Sequence, residues 1–387
     1  MMNPTDRKPR LALLLNMISP VRLGLYNFLA DEFDLMILHG GKEANRDSWN
    51  NVEKALPNAR VVHARGWQFH YTKRQAGEAF DEKYIHVNLG FAWHLLRFRP
   101  DAVISNEMGF RSMMALAYGM AFRKPVWIWS AGTLHSERNI GAVRKAFRKA
   151  LLLFSDRWIT YGDAATEYLL SLGVKRDRIL QSQNAINEKQ FQSAAEPAWD
   201  IQPRPVVLYV GQFIERKGVG TLLQAAARLQ QDGKVFSLLL VGSGRDKAVL
   251  EQRSKTLGLK NVSFRSAQTP EKMSSVYRSA DLLVLPTLED VWGLVVNEAI
   301  LSDLPVLCSK YAGCAGELLA PENIFSPEDL NEFSQRLSAA ISGLLAKTDP
   351  RRLKTTKQLG IEIVQELYKC WPDKKLDKQS GSPSMTQ

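Results

Sequence analysis

The sequence predicts an α/β protein built from two doubly wound domains that face one another across a cleft. Three observations predict it. The length, 387 residues, exceeds one ordinary domain and suggests two. Short, uninterrupted apolar runs alternate with amphipathic stretches, the pattern of parallel strands covered on both faces by helices. The polar, proline-bearing stretch 194–205 divides this alternation into two series of similar length, as an interdomain linker would.

The first series places strands at 11–17, 35–39, 60–64, 102–105, 126–130, 158–161 and 178–181, with helices at 84–98 and 109–122 among the stretches between them. Arg7, Lys8 and Arg10 before the first apolar run resemble the start of a signal peptide. Ser19-Pro20-Val21-Arg22 offers no small-residue cleavage site, however, so 11–17 reads as a buried strand. The second series has strands at 206–211, 236–242, 262–265, 282–286 and 305–308, and helices at 218–231, 246–256, 270–279 and 293–301. Beyond residue 346 the pattern changes. Residues 353–370 read as one more helix, ended by Trp371-Pro372, and the polar stretch 374–387 is expected to be disordered. The expected division is 1–195 for the first domain, 196–350 for the second, 351–373 for a helix packing back on the first, and 374–387 for a tail. No internal repeat of 20–50 residues is present.

Composition narrows the function. With 45% hydrophobic and 24% charged residues the chain is globular, which excludes collagen, coiled coil and wholesale disorder. Net charge is +11, and most of it lies early: 27 Lys and Arg stand against 19 Asp and Glu up to residue 196, and 24 against 21 beyond. The first half is therefore the half expected to meet something anionic. A nucleic acid is disfavoured, because the positive charge lacks interleaved aromatics or a recognition motif. Cys308, Cys314 and Cys370 are too few and too clustered for a disulfide framework, which points to a reducing compartment. No apolar run approaches the roughly 20 residues needed to span a bilayer. The expected location is the cytoplasm, with contact to the inner face of the membrane from that side.

The residues that carry chemistry cluster in the second domain. The strand at 206–210 runs into Gly211-Gln212-Phe213-Ile214-Glu215-Arg216-Lys217-Gly218 and a helix follows. Glycine at the strand exit lets backbone approach a ligand, and Arg216-Lys217 places positive charge over the cleft. The next strand ends in Val241-Gly242-Ser243-Gly244-Arg245, another glycine-rich turn opening a helix at the same sheet edge. A third strand leads into Thr287-Leu288-Glu289-Asp290-Val291-Trp292-Gly293-Leu294-Val295-Val296-Asn297-Glu298-Ala299. The helix beginning near Gly293 would aim free amides at the cleft, a natural seat for a diphosphate. Asp290 and Glu298, eight positions apart around that anion-binding start, suit hydroxyls flanking it, one set on a sugar and one on a ribose.

In these stretches the second domain resembles the donor-binding half of the family-four retaining glycosyltransferases of the GT-B type, also called glycosyl transferases group 1. The matching motifs are Tyr209-Val210-Gly211…Arg216-Lys217-Gly218, Val241-Gly242-Ser243-Gly244 and Asp290-Val291-Trp292-Gly293…Glu298-Ala299, with Leu304-Pro305-Val306 and Gly313…Gly316-Glu317-Leu318 downstream. The likeness covers about 203–345 closely and the first domain loosely. It implies a GT-B fold of two Rossmann-like domains. It also implies that Arg216 and Lys217 bind the donor diphosphate, that Glu298 holds the ribose, and that Asp290 holds the transferred sugar. Gly211, Gly242, Gly244, Trp292, Gly293 and Leu294 would complete the substrate side. Asp290 stands where the family has Glu, one methylene longer, so the sugar must sit closer or differ in its hydroxyls. Glu289 is expected to point elsewhere, and Ser302-Asp303 before Leu304 departs from the family only in a loop.

The first domain is expected to take the acceptor. Arg22, after the first strand, could meet a phosphate or cap a helix start. His135, in Ser130-Ala131-Gly132-Thr133-Leu134-His135-Ser136-Glu137, follows a strand exit, and the resemblance implies that it reaches the transferred sugar. No Asp-X-Asp pair occurs to hold a cation on the diphosphate, so no metal and no cofactor is expected. In 143–154, Val143, Ala146, Phe147, Ala150, Leu151 and Phe154 share one helical face, while Arg144, Lys145, Arg148 and Lys149 share the other. The basic face is simply solvated on a core-packed helix, or it rests on an anionic membrane or draws a lipid diphosphate. The expected activity is metal-independent, retaining transfer from a nucleotide-diphosphate sugar to a glycan or lipid-linked acceptor, in surface polysaccharide or glycolipid synthesis. A nucleotide-sugar epimerase of the same architecture and a non-catalytic nucleotide-sugar-binding module are the alternatives.

Overall fold

A computed structural model describes residues 7–41, 52–75, 78–192 and 195–371. In the first domain the strands are β1 (Arg10–Leu15), β2 (Asp34–His39), β3 (Arg60–His63), β4 (Trp67–Gln75), β5 (Glu78–Val87), β6 (Ala102–Asn106), β7 (Val126–Ser130), β8 (Trp158–Thr160) and β9 (Ile179–Gln181). Seven of them form a parallel sheet in the order β3-β2-β1-β6-β7-β8-β9. Strand β7, Val-Trp-Ile-Trp-Ser, is buried throughout. A strand covered on both faces needs no polar alternation, which is why these runs read as uninterrupted apolar segments.

The remaining two strands correct the sequence reading. Residues 84–98 were expected to form one helix; instead β5 continues to Val87 and the helix begins at Gly90 (Gly90–Phe98). Strands β4 and β5 pair antiparallel, Trp67 opposite Val87 and Phe69 opposite Ile85, as a hairpin separate from the main sheet. Aromatic and β-branched residues at every second position favour this ladder over a helix.

The second domain has β10 (Val206–Val210), β11 (Ser237–Val241), β12 (Val262–Arg265), β13 (Leu282–Leu285), β14 (Val306–Ser309) and β15 (Ile324–Phe325). They form one parallel sheet in the order β12-β11-β10-β13-β14-β15. Strand order therefore reverses between β1 and β6 in the first sheet and between β10 and β13 in the second. Such reversals open a crevice at the carboxyl ends of the strands, where ligands bind in doubly wound sheets. The turn after β10 and the segment after β13, which hold the motifs, both lie at the second reversal.

Residues 195–205 contain no regular element and lie on the second domain, where the Ala198 amide donates to Ser275 O at 2.9 Å. The last described helix, Thr356–Tyr368, packs on Leu23–Glu32 of the first domain. Phe28 fills the space above Gly360, and the rings of Phe33 and Tyr368 are 5.8 Å apart. The tail expected at 374–387 lies outside the described residues. Cys308, Cys314 and Cys370 are free thiols.

Candidate active site

The site is built where the two glycine-rich turns press together. Val210 lies opposite Val241, so Gly211 and Gly242 leave adjacent strands side by side. A Cβ on Gly242 would stand 1.8 Å from Gly211 O, closer than any real contact. Gly244 lies against the Phe213 backbone in the same way. Gly218 (φ +68°) has no room either: a Cβ there would be 2.0 Å from Pro286 O, so this glycine draws the β10 turn onto the β13 exit. The glycines thus close-pack the loops on which the charged groups stand.

Three consecutive residues after β13 tie the candidate groups together. Leu288 O lies 2.9 Å from His135 Nε2, Glu289 O accepts from an Arg216 guanidinium nitrogen at 2.8 Å, and the Asp290 carboxylate meets Lys217 Nζ at 2.5 Å. The Trp292 amide donates to the other Asp290 oxygen at 3.3 Å. Burial pushes the Asp290 carboxyl up, but Lys217, Arg216 and these hydrogen bonds outweigh it and hold it below the ordinary aspartate value. Asp290 is therefore ionised at neutral pH.

His135 stands on the short helix Leu134–Glu137, whose start is fixed by a reciprocal cap between Thr133 and Ser136. Its ring stacks on Tyr311 at 3.6 Å and 12°. Burial lowers its pKa, so the imidazole is neutral at pH 7. With the Leu288 carbonyl as partner, Nε2 must carry the proton and donate it. Beside it a recess between the domains is lined by Thr133, Asp163, Lys310 and Tyr311.

The helix Leu294–Leu301 starts at Gly293 (φ +99°); the Val296 amide donates back to Gly293 O at 2.9 Å, while the amides of Leu294 and Val295 precede any helical carbonyl they could reach. Glu298 lies in it and accepts from the Tyr277 hydroxyl at 2.7 Å; burial raises its carboxyl to about 7. Trp292 corrects the expectation of a substrate-binding side chain. It is 2% exposed, its Nε1 donates to Asn297 at 2.9 Å, and its ring packs against Gly162 of the first domain. A buried indole with a satisfied N–H is a core residue.

Glu289 points away from the Lys217–Asp290 pair, as expected. It is buried in the interface, where one oxygen meets Lys73 Nζ and an Arg138 nitrogen, each at 3.2 Å. Asp81 of β5 reaches Arg216 Nε at 3.0 Å. Lys73, Asp81, Arg138, Tyr277 and Tyr311 were all missed by sequence reasoning, because each meets its partner across a long sequence separation. Arg22 is buried between the rings of Trp129 and Tyr161 and donates to Asn184 at 2.9 Å, so it packs the first domain.

The basic helix also departs from expectation. In Ala142–Phe154, Arg148 is 6% exposed, ion-paired with Glu137 and hydrogen-bonded to the Tyr168 hydroxyl at 2.9 Å. A buried guanidinium needs such a carboxylate, and that pair turns the helix. Leu151 faces the core, while Val143, Leu153 and Phe154 are exposed beside Arg144, Lys145 and Lys149.

Residues 192–356 match the family described as Glycosyl transferases group 1. This match falls on the second domain. Similar proteins include a D-inositol 3-phosphate glycosyltransferase of Nocardia farcinica, 28% identical over 48% of each chain. A GDP-mannose-dependent alpha-mannosyltransferase of Mycobacterium tuberculosis is 27% identical over 59% of this chain and 56% of its own. The matches span about half the length of these curated relatives. Anabaena HepE in complex with UDP superposes with a TM-score of 0.69 at 15% identity, covering 94% of this chain and all of that one. WaaG, a glycosyltransferase involved in lipopolysaccharide biosynthesis, does so with 0.62 at 17% identity, over 92% and 99%. The two-domain fold is thus the GT-B fold.

Proposed function

We propose that the chain is a metal-independent, retaining glycosyltransferase that moves a sugar from a nucleotide-diphosphate donor to a glycan or lipid-linked acceptor. The observation that carries this reading is the convergence of Arg216, Lys217, Asp290 and the Leu294–Leu301 helix start at one sheet reversal. When the bond to the anomeric carbon breaks, charge collects on the departing diphosphate. Arg216, Lys217 and the helix amides would stabilise it without a cation. Asp290 would accept from sugar hydroxyls and Glu298 from the ribose. Neutral His135 would offer its Nε2 proton to the sugar once released from Leu288. The acceptor hydroxyl would attack from the face the diphosphate leaves, with a phosphate oxygen taking its proton.

Peripheral membrane association on the cytoplasmic side belongs to the same reading. It is supported by exposed Val143, Leu153 and Phe154 beside Arg144, Lys145 and Lys149, the pairing of apolar and basic side chains that suits an anionic bilayer surface. Among the described residues no helix is long and apolar enough to cross a membrane. Surface polysaccharide or glycolipid synthesis is the proposed setting.

The test is the anomeric configuration of the product, read by NMR in excess EDTA. An α-linked product from an α-linked donor is expected. An inverted product, or acceptor-independent isomerisation of the donor, refutes the reading.

A further inference from the structure

The β4–β5 hairpin belongs to the first domain, yet three of its residues grip the second. Asp81, 6% exposed, meets Arg216 Nε at 3.0 Å. Lys73 Nζ meets Glu289 at 3.2 Å. The Ala79 carbonyl accepts from an Arg245 guanidinium nitrogen at 2.5 Å. These contacts fall on the turn after β10, the segment after β13 and the turn after β11, the three motif-bearing loops of the site.

The first of them conflicts with the role assigned to Arg216. A guanidinium paired with a buried carboxylate offers a second anion little net charge, and a diphosphate arriving there would be repelled by Asp81 at short range. The hairpin is also built to move as a unit. Among the described residues its strands pair only with each other, so displacing it breaks no ladder of the main sheet. Its base is fixed, because the Asn88 side chain donates to Gly40 O and Ala64 O. One face of it carries Trp67, Phe69, Tyr71 and Ile85, all at least 45% exposed, while Phe80 is buried beside Asp81.

We propose that the hairpin is a latch on the donor site: Asp81 holds Arg216 in place of the donor diphosphate and must be displaced before a nucleotide binds. This rests on the reading of Arg216 and Lys217 as the diphosphate seat. A site open only part of the time binds with an affinity reduced by that fraction. Removing the charge of Asp81 therefore strengthens binding, chiefly by speeding association.

The experiment titrates UDP, GDP and ADP into the full chain, Asp81→Asn and Arg216→Ala, by calorimetry and stopped-flow, with melting curves to report folding. Asp81→Asn is expected to bind the preferred nucleotide about tenfold more tightly with a faster association rate, and Arg216→Ala to bind it more weakly. Unchanged or weaker affinity in folded Asp81→Asn, with binding lost in Arg216→Ala, overturns the latch and leaves the seat standing. Wild-type affinity in Arg216→Ala, or no binding by any chain including Asp81→Asn, overturns the seat and the latch together. Should Asp81→Asn melt early, Lys73→Gln loosens the same hairpin at Glu289; tighter binding in it supports the latch, and unchanged affinity overturns it.

Discussion

Lys217 is not the exposed helix-start residue that its sequence position suggests. Its side chain is 14% exposed and lies 2.5 Å from an equally sheltered Asp290 carboxylate. Removing one partner of such a pair leaves a charge without compensation, at a cost of up to about 3–5 kcal/mol. Lys217→Ala is therefore expected to lower the melting temperature as well as to slow transfer by roughly 30- to 1000-fold. Adding Asp290→Asn should restore the melting temperature and leave transfer slow. Calorimetric scans and initial rates on the three chains check this; recovery of both together would mean that the pair is only structural.

Glu298 gives a second expectation at this scale. Burial holds its carboxyl near 7, against an ordinary value of 4.5. Between those values the folded chain keeps a proton that the unfolded chain has lost, so its contribution to stability is present below about 4.5 and is lost as pH rises through 7. The size is roughly 3 kcal/mol, from about 1.4 kcal/mol per unit. Glu298→Gln, which resembles the protonated form, should flatten the decline. Equal slopes of unfolding free energy from pH 4.5 to 7 in both chains would contradict this placement.

At the scale of elements, most strands were legible because a parallel sheet covered on both faces leaves an unmixed apolar run. The expected strands at 206–211 and 282–286 lie within one residue of β10 and β13. The hairpin was not legible. Its alternation is local, but what matters about it, Asp81 on Arg216 and Lys73 on Glu289, depends on how the domains close. The register of Ala142–Phe154 failed for a related reason. Both of its faces are amphipathic, and the choice between them was made by Glu137 and Tyr168, which hold Arg148 inside. The corrected register puts apolar and basic groups on one surface. Lys145→Glu with Lys149→Glu is expected to weaken cosedimentation with phosphatidylserine vesicles by about tenfold or more, from about 1 kcal/mol per charge near the surface. Wild-type binding by this variant, or binding to neutral vesicles alone, would assign the patch another role.

At the scale of the whole molecule, the two domains meet through contacts made by segments that follow β7 and β8. His135 meets Leu288, Arg138 meets Glu289, and the Glu317 carboxylate accepts from the Asp163 amide at 2.9 Å. Motif order disclosed the loops proposed as the donor side, since their groups lie on three loops of one sheet. It disclosed nothing of the closure, which joins residues over 150 positions apart. The most direct measurement of the central claim is release of nucleoside diphosphate from a panel of UDP-, GDP- and ADP-sugars. It is made with and without excess EDTA, on the wild-type chain and the Lys217→Ala/Asp290→Asn variant. The expected result is turnover of at least one donor by the wild type, unaffected by EDTA and lost in the folded variant. Turnover by the variant at the wild-type rate, abolition by EDTA with rescue by Mn²⁺ or Mg²⁺, or release from none of the donors would contradict the seat at Arg216 and Lys217.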